Sequence, residues 1–213
     1  VPPKRMYGEK TVISAEGGVG IGTNIAREAF HVNSGQRRLY SVTADATGSL
    51  FSVNDKNGNV LLDVDNEGWV TKPKLPAFMV HPSGTQSNIA NDSTVTVVFG
   101  TERFDQGNNF SGNTFTAPVT GKYQLNVAIA WNQLDTAASY YRVDINTSND
   151  IYYNYLAPEF SGDTPDSYYY TMAHSVLADM DATDTAWITV RTSDGTAQAD
   201  IQADSYFSGY LVC

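Results

Sequence analysis

Apolar and polar residues alternate along the second half of the chain, which predicts β-strands there. The clearest run is GKYQLNVAIAW, residues 121–131. Because successive side chains of a strand point to opposite faces, this run predicts a half-buried strand. Its apolar face would hold Tyr123, Leu125, Val127, Ile129 and Trp131, opposite Gln124, Asn126, Ala128 and Ala130. Similar runs recur about every eight to twelve residues, separated by turn residues. We therefore predict an all-β sandwich or jelly roll without helices over residues 74–213.

The first half carries a ten-residue repeat of the form Asp-x-x-Gly-x-apolar. It recurs as DATGSL at 45–50, DKNGNV at 55–60 and DNEGWV at 65–70. Asp and Gly at these offsets predict turns, and the short alternating runs between them predict strands. So short a strand-turn unit cannot bury a core alone and gains stability by stacking or by wrapping against identical chains. We predict a repetitive β-shaft over residues 1–73, ended by the Lys- and Pro-rich stretch 71–76.

A glycine-rich segment, EGGVGIGTN at 16–24, raises the possibility of a nucleotide-binding loop. Its glycines, at 17, 18, 20 and 22, do not match the Gly-x-Gly-x-x-Gly spacing, and no Lys-Ser or Lys-Thr pair follows. We therefore interpret the segment as a turn and strand at the start of the shaft, where glycines let chains approach closely. For NIAREAF, residues 24–30, a short helix and an extended link both remain open.

Composition narrows the classes of partner. The formal net charge of −10 opposes a phosphate-backbone partner, so we expect no nucleic-acid binding. No run approaches the roughly 20 apolar residues of a membrane span, so we expect no membrane insertion. The single cysteine, Cys213, excludes an intramolecular disulfide, and we expect it to be a small buried group at the end of the last strand.

Motifs for catalysis or metal binding are weak. We find no Gly-x-Ser-x-Gly elbow, and the sequence gives no reason to place Glu102 and Glu159 together as a glycosidase pair. We predict that the protein is not an enzyme and has no catalytic residues. The three histidines are far apart, so we predict no histidine metal site, and His174 reads as a packed strand residue.

Calcium is the one metal that the acidic residues suggest. Asp63, Asp65 and Glu67 resemble the start of a calcium loop, but its closing glutamate is replaced by Lys74. The turn repeat accounts for these carboxylates without a metal. The acidic stretches at 144–150 and 178–184 are read as solubilising loops, with surface calcium as the alternative. We predict no cofactor and no metal site.

Tyrosine is unusually frequent, with 13 residues in the chain. Its flat apolar ring and hydroxyl suit sugar rings when carboxylates lie alongside, although tyrosine is also a favoured strand residue. For the tyrosines next to the loop APEFSGDTPD, a sugar-binding role and a structural role in a strand are equally well supported. We predict receptor-binding residues in this loop region, namely Tyr152, Tyr153, Tyr155, Glu159 and Asp163.

The segment FGTERFDQGNNFSGNTFTAPVTGKYQLNVAI resembles the signature of the complement C1q globular head, which shares its fold with tumour necrosis factor ligands. The matching residues are Phe99, Asp105, Phe110, Phe115, Pro118, Gly121 and Tyr123. PAFMV at 76–80 resembles the first strand of that family and FSGYLV at 207–212 its last. The short Phe110 to Phe115 spacing and Leu125 in place of a Phe depart from the pattern. The resemblance implies a ten-stranded jelly roll that forms a tight homotrimer.

The glycine segment GGVGIGTNIAREAFHVN and the run LFSVNDKNGNVLLDVDNEGWV resemble bacteriophage tail-fibre sequences. Together the two resemblances imply a trimeric shaft joined to other virion proteins upstream, with a jelly-roll tip that binds a host cell-surface glycan or protein. The expected location is then the virion tail fibre, outside the cell. A tip that only registers and trimerises the fibre is the alternative, and a polysaccharide depolymerase is a third.

Overall fold

The computed structural model describes residues 48–158 and 169–213 with their side chains. Before residue 48 it describes the backbone of five strands: β1 (Lys4–Arg5), β2 (Thr11–Ile13), β3 (Val19–Ile21), β4 (Phe30–Ser34) and β5 (Arg37–Val42). The chain divides into two compact units, Val1–Lys74 and Leu75–Cys213. No α-helix occurs in the described residues of either unit.

The first unit contains one eight-stranded sheet in which the strands follow each other in chain order. Three more strands complete it: β6 (Ser49–Asn54), β7 (Val60–Asp65) and β8 (Val70–Thr71). Neighbouring strands are antiparallel except β3 and β4, which are parallel. Gly20 lies within β3, whereas 14–18 and 22–29 lie outside the described residues, so the choice between helix and link for NIAREAF stays untested.

The predicted turns of the repeat are confirmed where the structure describes them. Asp55 Oδ1 accepts hydrogen bonds from the backbone N–H of residues 57 and 59, at 2.7 and 2.9 Å. Asp65 Oδ1 accepts the equivalent pair from residues 67 and 69, at 3.0 and 2.9 Å. Gly58 and Gly68 both have a positive φ, of 84° and 88°. The repeat therefore encodes one hairpin geometry twice, because Asp holds the turn and Gly accepts its left-handed position.

The second unit is a two-layer β-sandwich. Its strands are β9 (Ala77–His81), β10 (Thr94–Thr96), β11 (Thr101–Gln106), β12 (Phe110–Ser111), β13 (Thr114–Thr116), β14 (Gly121–Asn132), β15 (Ala138–Thr147), β16 (Ile151–Leu156), β17 (Tyr170–Met180), β18 (Thr185–Asp194), β19 (Asp200–Ile201) and β20 (Tyr206–Leu211). One sheet has the order β11-β9-β20-β14-β17, with β19 against β14. The other has the order β12-β13-β18-β15-β16, with β10 against β18. This topology confirms the all-β jelly-roll prediction for the second unit.

The core lies between the two sheets of the second unit. All five apolar residues predicted for one face of 121–131 are buried. Phe78 joins the sheets, because its ring stacks on Phe115 at 4.6 Å and meets Phe207 edge-on at 5.0 Å. Aromatic contacts of this kind add to the stabilisation that apolar burial provides. The two outer faces of the sandwich are consequently held on rigid strands.

Two smaller predictions can also be judged in this unit. The short Phe110 to Phe115 spacing is a two-residue hairpin in which Gly112 and Asn113 both have positive φ, of 58° and 68°. This is the backbone of a tight type I′ turn, which matches strand twist. The prediction for Cys213 is wrong: β20 ends at Leu211, so the cysteine lies beyond the strand and is exposed.

Candidate functional site

The structure places the three predicted tyrosines in a strand and not in a loop. Tyr152, Tyr153 and Tyr155 belong to β16, which pairs with β15 at the edge of its sheet. Tyr152 points inward and packs against the core, whereas Tyr153 and Tyr155 point outward and are 48% and 56% exposed. The loop prediction is therefore wrong, because strand alternation and the β-preference of tyrosine continue through this segment.

The other two predicted residues of the site are carboxylates. Glu159 and Asp163 both belong to 159–168, which lies outside the described residues. The structure therefore brings together Tyr153 and Tyr155 but says nothing of the two acids. Whether any of the five residues binds a receptor stays a prediction.

An ion pair that sequence reasoning did not select lies beneath the exposed tyrosines. Arg142 and Asp144 are two residues apart on β15 and therefore share its outer face. Arg142 Nε lies 2.7 Å from Asp144 Oδ1, and Nη2 donates to Oδ2 at 2.8 Å. Asp144 is buried and also accepts from Thr189 Oγ1 at 3.1 Å. This ion pair, with its one hydrogen bond from Nη2, fixes the position of the guanidinium and neutralises its charge.

Two tyrosine rings lie against Arg142, and a third ring contacts one of them. Its guanidinium carbon lies 4.7 Å from the ring centroid of Tyr153 and 5.7 Å from that of Tyr155, both within cation–π range. Tyr155 also meets Tyr140 edge-on at 5.3 Å. Burial lowers the pKa of Arg142, but the Asp144 carboxylate and the Tyr155 hydroxyl outweigh it and raise the pKa, so the arginine is charged. The exposed rings are thus held in place from below.

A second arginine completes this arrangement. Arg191 of β18 stands directly opposite Arg142 in the antiparallel register and donates from Nε to the Tyr140 hydroxyl at 3.2 Å. We call this group the Tyr–Arg cluster, consisting of Tyr140, Arg142, Asp144, Tyr153, Tyr155 and Arg191. The alternation in YYRVDIN could have suggested that Tyr140, Arg142 and Asp144 share a face. Their contacts with residues of β16 and β18 depend on the strand register, which the sequence pattern does not predict.

The opposite outer face of the sandwich has a different chemistry. It is formed by β11, β9, β20, β14 and β17, and its outward residues are mostly small, amide or apolar. We call it the neutral face, consisting of Ala77, Met79, Phe104, Gln124, Asn126, Ala128, Ala173, Ser175, Leu177, Tyr206, Ser208 and Tyr210. Phe104, Leu177 and Tyr210 are exposed there although they are large and apolar. Large apolar side chains that are exposed together on one face are typical of a surface that associates with a protein.

Hydrogen bonds keep the polar part of the neutral face in order. Gln124 Nε2 donates to Ser175 Oγ at 2.7 Å, and Ser175 Oγ donates to Asn126 Oδ1 at 2.8 Å. The face ends at an ion pair in which Lys122 Nζ lies 2.5 Å from Asp179 Oδ2. Its centre therefore has ordered neutral groups, and desolvating them costs much less than desolvating charges.

The acidic stretches predicted to be loops lie partly in strands. Residues 144–147 belong to β15 and 178–180 to β17. Asp184 Oδ2 accepts from the backbone N–H of Asp181 at 2.8 Å and from Asn149 Nδ2, and such bonds lower the pKa of Asp184. Within 48–158 and 169–213, no three His, Cys, Asp or Glu side chains are grouped so as to hold a metal ion.

His174 lies on the inward face of β17, in agreement with the prediction of a packed residue. Burial lowers the pKa of its imidazole, and the negative charge of Asp144 opposes that shift only in part. The described residues include no helix with the length and apolar character needed to cross a bilayer.

The second unit matches a known protein family. The profile of the C1q domain matches residues 77–212. No curated protein matches the chain. Similar solved structures include the globular domain of zebrafish complement 1qA, 19% identical over 65% of this chain and 98% of that chain, with a TM-score of 0.46. Murine APRIL at pH 8.0 is 11% identical over 65% and 100%, with a TM-score of 0.46. Eiger TNF from S. frugiperda is 13% identical over 66% and 94%, with a TM-score of 0.43.

Proposed function

The chain belongs to the C1q domain family, and from this premise we propose that its second unit is the homotrimeric, extracellular binding head of a bacteriophage tail fibre. The first unit would be part of the shaft, which connects the head to other virion proteins. The head would attach to a glycan or a protein on the surface of the host cell. This role requires no catalysis.

The neutral face supports the homotrimer. A C1q-type head that trimerises must cover one sheet with identical chains, and a face without central charges is suited to that contact. Leu177 and Tyr210 would become buried there, while Gln124 and Asn126 would keep the hydrogen bonds that they already make. The cost of burying the polar groups is therefore small in comparison with the apolar area gained.

The first unit supports a shaft built from several chains. Of the side chains at 48–74, Ser52 is the one that is buried, although β6 and β7 are rich in Leu, Val and Phe. Trp69 is 66% exposed and Val70 and Leu61 are also exposed. A single sheet has no second layer to cover such residues, so identical chains are the natural cover for a repeated sequence.

One observation carries the attachment role: tyrosine rings stand exposed on a rigid outer sheet, away from the neutral face. In a trimer, three copies of the Tyr–Arg cluster would face outward at once. Binding through several weak sites raises the total affinity without any new contact at each site. The cluster is therefore a better candidate for host contact than an isolated exposed ring.

The trimer can be tested with Asn126→Glu, which places a carboxylate in the centre of the neutral face. Light scattering should report a trimer for the wild type and smaller species for the variant, because burying unpaired charges is costly. Thr116→Glu, which adds the same charge at an exposed position of the other sheet, should remain trimeric. A trimeric Asn126→Glu would show that another surface makes the contact.

Attachment is tested with labelled wild-type trimer on a broad panel of bacterial strains, followed by flow cytometry. We expect adhesion to a subset of strains and an apparent affinity about a hundredfold lower for the dissociated variant, because avidity is lost. A trimer that adheres to no strain would favour the role of a tip that only registers the three chains. Shortening of a purified surface polysaccharide by the protein would indicate a depolymerase instead.

A further inference from the structure

Positive charge is scarce in the second unit and is concentrated in one place. Its Lys and Arg residues are Arg103, Lys122, Arg142 and Arg191, against a much larger number of Asp and Glu. Two of these four, Arg142 and Arg191, face each other in register on β15 and β18. Like charges directly opposite each other destabilise a sheet. Such a pair in an otherwise acidic unit indicates that its positive charge serves to bind a ligand.

The two arginines are not equivalent. Arg142 is neutralised by its ion pair with Asp144. Arg191 donates a hydrogen bond from Nε to the Tyr140 hydroxyl, and within 48–158 and 169–213 no carboxylate forms an ion pair with it. A guanidinium has five N–H donors, so the terminal nitrogens of Arg191 can still bind an anion. Together Arg142, Asp144 and Arg191 carry a net charge of about one positive unit.

The aromatic side of the cluster suits a ring-shaped ligand. The centroids of the Tyr153 and Tyr155 rings are 6.1 Å apart, and Tyr140 extends the group from Tyr155 towards Arg191. Tyrosines stack against the C–H faces of sugar rings and donate or accept hydrogen bonds at their hydroxyls. Because β16 is paired with β15 along its whole length and Arg142 supports both rings, little side-chain freedom would be lost on binding.

We propose that the Tyr–Arg cluster binds a sugar ring that carries a carboxylate, with the ring on Tyr153 and Tyr155 and the carboxylate on Arg191. The inference rests on the proposed function and names the ligand class of its site. A carboxylate has one negative charge and the planar geometry that a guanidinium fork matches. The single net positive charge of the cluster fits this group better than a doubly charged phosphate.

The test uses the full chain on surfaces that carry a glucuronide, a galacturonide or an N-acetylneuraminide at equal density. Each is paired with a surface that carries its uncharged methyl ester. We expect at least one acid to bind about tenfold or more tightly than its ester, the size expected for a charge-assisted hydrogen bond. Equal binding of acid and ester on all three pairs, or no binding to any surface, would overturn the inference.

Matched variants assign the effect to individual residues. Arg191→Gln should remove the preference for the acid, whereas Arg103→Gln removes an exposed charge of the other sheet and should leave it unchanged. Tyr140→Phe deletes the contact to Arg191 Nε but keeps the positive charge, so most of the preference should remain. Tyr153→Ala and Tyr155→Ala should weaken binding to acid and ester alike. A preference that survives Arg191→Gln in a folded trimer would overturn the assignment.

The result is independent of the attachment assay. Adhesion to cells that Arg191→Gln and Tyr155→Ala leave unchanged would retain the proposed function and reject this site. Binding of an acidic sugar through Arg191, without adhesion to any strain, would retain the site and reject attachment. Circular dichroism and light scattering on each variant separate both outcomes from loss of folding or of assembly.

Discussion

The two units of the chain have similar alternating strands but differ in what those strands bury. In the second unit, two sheets enclose Trp131, Tyr123 and the residues around them. At 48–74 of the first unit, Ser52 is the one buried side chain, and Trp69 is largely exposed. The strands of both segments are nevertheless rich in apolar residues. Alternation therefore predicts a strand, whereas burial requires a second layer to pack against.

The two units should therefore depend on neighbouring chains for their stability to different degrees. A sandwich that covers its own apolar faces can fold as a single chain, with a cooperative transition. A single repetitive sheet depends on neighbouring copies for the same gain. We therefore expect the two units to respond differently to substitutions of the same type, and three pairs of variants test this.

The largest effect is expected from replacing tryptophan in the core. Trp131→Ala removes a fully buried ring that meets Tyr141 edge-on at 5.3 Å, so the free energy of unfolding of the second unit should fall by about 3–5 kcal/mol. Urea denaturation of the full chain, followed by circular dichroism, measures it. Trp69→Ala is the matched change in the first unit and should leave the transition of the second unit within about 0.5 kcal/mol. If Trp69→Ala shifts that transition as much as Trp131→Ala does, the two units unfold as one body.

The strands and turns could be predicted because their signals are local. The faces of 121–131 follow from period-two alternation within one strand. The hairpins at Asp55 and Asp65 follow from Asp and Gly only three residues apart, and the structure describes both with the same hydrogen bonds. The first and last strands of the second unit, β9 and β20, lie where the C1q resemblance placed them. In each case the signal that predicts the element lies within one short segment of the chain or within the C1q sequence pattern.

The candidate site could be predicted only in part because it depends on distant pairings. The high tyrosine content of this segment predicts Tyr153 and Tyr155 as binding residues, but it places them in a loop. No neighbouring residue indicates that they pair with β15. The sequence does not predict Arg142 and Arg191 as site residues, because each lies in an ordinary strand pattern. They become neighbours only through the strand register, which places them opposite each other. The sequence specifies side-chain direction within a strand. It does not specify which strands become neighbours.

The second pair of variants compares two aspartates that hold turns. Asp135 is buried, and its carboxylate accepts from the backbone N–H of Ala137 and Ala197, both at 2.8 Å, and from that of Thr196. Asp135→Ala leaves these donors without an acceptor and should cost the second unit about 2–3 kcal/mol in urea denaturation. Asp55→Ala exposes the same kind of donors to water, so its effect should be smaller and confined to the first unit. Equal effects would mean that burial does not separate the two turns.

The same aspartate predicts a pH dependence. Burial raises the pKa of Asp135, but the backbone hydrogen bonds from Ala197, Ala137 and Thr196 outweigh it and lower the pKa. Because the folded-state pKa is below the unfolded one, this stabilisation is present above the unfolded pKa, about 3.9. It is lost as the pH falls through the folded-state value. Asp135→Asn should therefore flatten the loss of stability below about pH 4. An unchanged acid limb would contradict this assignment.

The smallest effect is expected from two exposed glycines with different backbone conformations. Gly58 has φ of 84°, whereas Gly84 is outside the left-handed region, and an added Cβ would contact nothing within 4 Å at either position. Gly58→Ala should destabilise the first unit by about 1 kcal/mol, because a residue with a Cβ is strained at positive φ. Gly84→Ala should be neutral or slightly stabilising, because it restricts the unfolded chain. Thermal denaturation of both variants measures the difference. A neutral Gly58→Ala would mean that the repeat does not depend on its turn glycine, and that the shaft tolerates more than one hairpin geometry.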